Sequence, residues 1–226
     1  MKSKALKSFF LFAILVFIGL VSHASPAKAM RFCQFEDPKM IVKLGKRPTK
    51  YIKGHSARHL TSMQGHTAGT ILGLADSGMG LEIRTQFEIA EQDGRYCVGI
   101  KAMKVLWLAL PTVYLASDYK KGSCEYTAVL AHEQIHIRRN NQFISEYAPR
   151  FKKEVGKISK QMRTQIGPIG ENQIQAAQTE LENQMYERLI NQFFDRYIPE
   201  LNRRQSKVDS PEEYAKVFAK CKNWGF

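Results

Sequence analysis

The 226-residue chain contains few long apolar runs. Only the stretch from Phe9 to Val21 is unbroken, and no second one follows that could cross a membrane's hydrocarbon core. Cysteine is sparse too: Cys33, Cys97, Cys124 and Cys221 stand alone, with no CxxC pair, which argues against a cysteine-based zinc site. Basic residues outnumber acidic ones, 34 to 21. They form no long run and no stretch interleaved with aromatics, so no nucleic-acid interface is expected. No internal repeat and no low-complexity segment is present, which sets aside solenoid and disordered architectures.

What is present begins with an export signal. Lys2, Lys4 and Lys7 precede the apolar stretch, and small-residue cleavage patterns follow at Ser22-His23-Ala24 and Ala27-Lys28-Ala29. The apolar core is shorter than the roughly 18 to 20 residues a span requires, so the reading is a cleaved secretory signal over residues 1–29 rather than an anchor. Cleavage before Met30 is preferred and before Ser25 is second. No cysteine follows either site to carry a lipid. Residues 30–226 then form a single soluble domain, periplasmic or secreted. Loss of four signal-segment lysines lowers the net charge from +13 to +9, which favours an anionic envelope polymer or surface as a partner.

Four cysteines in an exported chain predict two disulfides. Three connectivities are open, and Cys33 with Cys97 and Cys124 with Cys221 is favoured. The second pair would tie the start of a long helix to the C-terminus.

Two halves differ in periodicity. Met40 to Leu44 is a short strand candidate, and Leu81, Ile83, Thr85, Phe87 and Ile89 alternate with polar neighbours. Asp93-Gly94 supplies a hairpin turn, Arg95 to Leu110 returns as a strand, and Thr112 to Ala116 is expected as a short edge strand after Pro111. From Ser123 the pattern is helical. Expected helices run from Cys124 to about Tyr147, ended or kinked by Pro149, then Phe151–Met162, Asn172 to about Tyr197, and a last one opening at Ser210-Pro211 and ending near Lys220. The class is α+β, a small, mainly antiparallel sheet followed by helices.

His132-Glu133-Gln134-Ile135-His136 lies inside the first of these helices. A spacing of four puts both imidazoles on one face, one turn apart, where two nitrogens can bind one Zn²⁺. Glu133 falls off that line, as suits a general base that acts on water at the metal rather than on the metal.

A catalytic zinc needs a third protein ligand. A histidine six residues after His136 would serve, but that position is Gln142. Helical phase points to Glu182, which falls within the apolar arc of Ile174, Leu181, Met185, Leu189 and Phe193. His55, His59 and His66 lie in a glycine-containing loop and read more readily as surface or supporting histidines. Tyr186, Tyr197 and Tyr214 are each candidate donors to a developing oxyanion.

Cys97 near a hairpin, the strand ending at Leu110-Pro111, the Leu130 to His136 helix and Phe194-Asp195 resemble an uncharacterised family of bacterial secreted proteins with an HExxH helix, predicted to be zinc-dependent proteases. The likeness spans roughly Leu81 to Glu200 and implies a zincin-like fold. In that family a Tyr-Asp pair is commonly followed, five residues after the aspartate, by a histidine. Here those positions read Phe194, Asp195 and Glu200, so the resemblance favours Glu200 as third ligand while phase favours Glu182.

The resulting expectation is a zinc metallopeptidase acting on a peptide or protein substrate. The alternatives are a non-catalytic zinc-stabilised module that binds an anionic envelope polymer, and a hydrolase of cell-wall peptide cross-links.

Overall fold

A computed structural model describes residues 32–65, 70–76 and 78–224. The expected signal segment and His66 lie outside these residues. The order is β1 (Lys39–Lys46), β2 (Lys50–Ile52), α1 (Ala57–Met63), β3 (Gly73–Asp76), β4 (Met79–Gln92), β5 (Arg95–Ala109), β6 (Thr112–Leu115), α2 (Cys124–Ser159), β7 (Gln165–Ile169), α3 (Ile174–Leu189), α4 (Asp195–Ser206) and α5 (Pro211–Phe218). Sheet first and helices after, the chain is α+β. Among the described residues no helix is long and apolar enough to cross a membrane.

Strand order is β1-β5-β4 in the larger sheet, with β7 pairing the start of β5, and β2-β6-β3 in the smaller. Both sheets are mixed: β1 runs parallel to β5 and β2 parallel to β6, while the remaining pairs are antiparallel. The two are nearly one ribbon. Arg47 donates its N–H to the Ala109 carbonyl and Lys50 to that of Pro111, while Pro111 itself, with no N–H, interrupts the ladder. The Asp93-Gly94 hairpin forms as expected, both residues taking positive φ as its tight turn requires.

Two expectations change, and one strand stands where none was expected. Thr112 to Leu115 is the middle of its sheet rather than an edge, because β2 and β3 flank it. Gln165 to Ile169 is a strand despite Pro168, lying at an edge where a missing donor is tolerated. Pro149 does not end its helix: α2 runs 36 residues. Pro149 and Ser145 are both exposed, so the carbonyl that the proline leaves without a donor faces solvent. Phe143 and Phe151, on either side, are locked into the core.

That core lies between the larger sheet and α2, α3 and α4. Trp107 on β5 is fully buried, with ring centroids of Phe143, Phe151, Phe193 and Phe194 5.1 to 6.2 Å away. A second cluster joins the smaller sheet and α1 to α2 through Leu60, Leu72, Val113, Leu115, Val129 and Ile137. Both disulfides are formed, Cys33–Cys97 and Cys124–Cys221, and the described cysteines leave none free.

Candidate metal centre

Ser123 caps α2 by accepting the Tyr126 N–H at 3.1 Å, and the first turns of α2 bury Ala128 and Val129 against the smaller sheet and the C-terminal segment. One turn further His132, Glu133 and His136 become buried, an unusual density of polar groups in a core. The two rings stand 5.1 Å apart, nearly perpendicular.

Both imidazoles turn their Nε2 atoms toward one carboxylate oxygen, Oδ1 of Asp209, at 3.4 Å from His132 and 3.0 Å from His136. Asp209 lies in the turn between α4 and α5. Its position follows from what comes next: Ser210 caps α5 by accepting the Glu213 N–H, and Pro211 opens the helix. Val217 on α5 packs against Ala128, and Cys221 is bonded to Cys124 at the first turn of α2. The carboxylate is thereby fastened to the helix that carries the histidines.

Gln205, on the last turns of α4, fixes the tautomer. Its Nε2 donates to the His136 carbonyl at 3.2 Å, so its Oε1 faces His136 Nδ1, which donates at 2.8 Å. With the proton on Nδ1, Nε2 is the bare nitrogen. A bare nitrogen 3.0 Å from a carboxylate oxygen is repulsive unless a cation lies between them, either a ring proton or a metal ion. The three donor atoms lie within 4.8 Å of one another and could hold a metal ion. A tetrahedral site with bonds of 2.0 to 2.1 Å has donor separations of about 3.3 Å, and the two histidine nitrogens lie 3.4 and 3.0 Å from Asp209 Oδ1.

The electrostatics agree. Burial pushes the Glu133 carboxyl up, to about 7, against the lowering pull of His132 and His136 and a hydrogen bond from the Ala75 backbone. Burial opposes charge on His136, but its bond to Asp209 prevails and raises its pKa. Asp209 is partly buried, yet its bonds to both histidines hold it well below the usual carboxylate range. Tyr214 donates its hydroxyl to Asp209 Oδ1 at 3.3 Å and leans its ring on His132, 5.1 Å between centroids.

Above Glu133 lies β3. A Cβ on Gly73 would sit 2.5 Å from Val129 Cγ1 and 2.6 Å from Glu133 Oε1, so β3 crosses α2 at a distance only glycine permits.

Neither of the expected third ligands joins the histidines. Glu200 is held by Arg203 and Arg204 of its own helix, and Arg204 also reaches Glu146. Glu146 lies ten residues beyond His136, about 15 Å along α2. Glu182 accepts a hydrogen bond from Thr85 on β4 and faces the sheet. Of the tyrosines, only Tyr214 reaches the cluster; Tyr197 packs on Phe193 and Tyr147, and Tyr186 is exposed. His55 and His59 stack on each other at 4.6 Å, apart from the cluster.

Asp209 gave no periodicity signal, because it lies in a turn. The available signal was the Cys124–Cys221 pairing, which brings the last helix and its preceding acid to the start of α2. Comparison with family models, with curated proteins and with solved structures found no match.

Proposed function

We propose that the protein is an exported zinc-dependent hydrolase of peptide bonds, with His132, His136 and Asp209 holding the ion and Glu133 as general base. The observation that carries this reading is the convergence of two Nε2 atoms on Asp209 Oδ1, with the buried Glu133 carboxyl one residue away on α2. When bound, zinc supplies Lewis acidity and makes water acidic near neutral pH.

The chain's own residues supply the rest. Glu133, with a carboxyl raised toward neutrality, is suited to take a proton from water and return it to a leaving amine. The Ala75 backbone and the close crossing of Gly73 hold it in place. Gln205 keeps the His136 Nε2 free to ligate. Among the described residues β3 pairs only with β6, so its outer edge is open beside Glu133. An extended peptide adding to that edge would lie next to Glu133.

Three protein ligands and a half-exposed Asp209 suit an open catalytic site better than a closed structural one, which takes four. The two disulfides suit an oxidising, extracytoplasmic compartment. The deciding experiment is Glu133→Gln, assayed with unfolded protein and with cross-linked cell-wall peptides. The variant should keep its zinc and lose hydrolysis of whichever substrate the native protein cleaves. Cleavage at the native rate would overturn the assignment of Glu133.

A further inference from the structure

Acidic residues are segregated across the sheets. In the described strands every one lies on β3 or β4: Asp76, Glu82, Glu88 and Glu91. From residue 38 to residue 75 the sequence contains no Asp or Glu at all. That acid-free stretch holds the opposite edge, β1 running into β2, which pairs only inward with β5 and β6.

Along this edge stand Lys43, Lys46, Arg47, Lys50 and Lys53, all exposed. None of the five is in an ion pair among the described residues, whereas Arg84, Lys157, Arg163, Arg203, Arg204 and Lys216 are; Lys53 alone has an aromatic partner, its ammonium lying 5.4 Å from the centre of the Tyr126 ring. Lys39, at the start of β1, differs, because it shares a groove with Glu36, Asp37 and Glu88. The uncompensated strip therefore begins at Lys43. It spans eleven residues, at most about 36 Å at roughly 3.3 Å per residue.

Lysine on an edge strand also guards against pairing with a second sheet. A guard explains one or two charges. It does not account for five in eleven residues of a stretch that contains no acid, nor for Lys104 on the neighbouring strand, opposite Ile41. Cations without acidic partners along a narrow ribbon give a field that is linear, and a linear polyanion matches it.

The strip offers one exposed aromatic, Tyr51, and so lacks the stacking platforms of single-stranded nucleic-acid sites. It is also a line rather than a plane, unlike a membrane-binding face. We infer that the β1–β2 edge, from Lys43 to Lys53, is a docking strip for a linear, base-free polymer of phosphate groups. β2 is separated from β3, and so from Glu133, by β6 alone. A polymer seated on the strip would tether the protein with its open β3 edge facing away. This inference is independent of the metal and of hydrolysis.

The test is binding of inorganic polyphosphate to the full chain, read by fluorescence anisotropy over a salt series. Binding should weaken steeply with salt. Reversing four charges of the strip (K43E, K46E, K50E, K53E) should lower the slope of log Kd against log salt by about four. Reversing four on α2 (R138E, R139E, K152E, K153E), with the same change in net charge, should leave the slope within about one of native. If the strip variant fails to fold by circular dichroism, the four lysine-to-glutamine changes replace it and should give the same loss. Equal loss in both variants would overturn the proposal, leaving only net charge. Absence of polyphosphate binding would also overturn it, as would tighter binding to single-stranded DNA or to anionic vesicles.

Discussion

His136 donates through Nδ1 to Oε1 of Gln205, 2.8 Å away and 69 residues later in the chain, while the same glutamine donates to the His136 carbonyl. One side chain thus holds the ring and decides which nitrogen is bare. Removing it with Gln205→Leu should weaken metal binding by about 10- to 100-fold, the usual scale for a ligand's hydrogen-bond partner. A competition titration with a chromophoric chelator measures it. Native affinity in the leucine variant would show that the clamp is dispensable.

Asp209→Ala should release the metal altogether, with content by atomic emission falling from one ion per chain to background. Glu200→Ala and Glu182→Ala should each keep it, because those carboxylates face Arg203 and Arg204 and Thr85 respectively. Loss in either of the latter and retention in Asp209→Ala would reinstate the ligand expected from sequence.

Gly73→Ala places a methyl where Val129 and Glu133 already lie. It should cost about 1 to 3 kcal/mol of stability, as overpacking does, and displace Glu133. Hydrolysis should fall more than metal content. Denaturant unfolding beside a metal assay separates the two effects.

The disulfides should differ in what they protect. Opening Cys124–Cys221 by paired Ser substitution frees the segment that carries Asp209, so stability should fall by about 2 to 5 kcal/mol and metal affinity with it. Opening Cys33–Cys97, which joins the start of the described chain to β5, should cost stability while leaving metal affinity near native.

Acid should compete with the metal. The pKa of His136 is raised above its ordinary value of 6.5 through Asp209, so in the metal-free protein this pair stabilises the fold fully below that ordinary value. The contribution is lost as pH rises through the elevated folded value. Metal needs the deprotonated ring, so its affinity should fall by up to about tenfold per pH unit for each proton displaced as pH drops through the same range. The rise in Tm on adding zinc should therefore grow from pH 6 to pH 8. A constant increment would show that the histidine is not displaced from its proton by the metal.

Local chemistry carried much of this protein in its sequence. The alternation in β4, the Asp93-Gly94 turn, the Ser123 and Ser210 caps and the one-turn spacing of His132 and His136 each depend on a few adjacent residues, and each was legible. The even cysteine count also pointed to two disulfides, but it left three connectivities open, and the structure decided for the favoured one. Pro149 left open whether the helix ends or bends, because that depends on what its neighbours pack against; here Phe143 and Phe151 are held by Trp107 and the helix continues.

The carboxylate that meets the two histidines was not legible for a related reason. Helical phase ranks residues that share a helix, and resemblance ranks positions that share a motif, but Asp209 lies in a turn and belongs to neither. A disulfide, a capped helix and a buried valine deliver it to the histidines across 73 residues of chain. The sequence by itself determined which two imidazoles and which buried carboxyl stand together on α2. Only the tertiary structure decided which carboxylate completes the group, since that depends on where a distant segment is anchored.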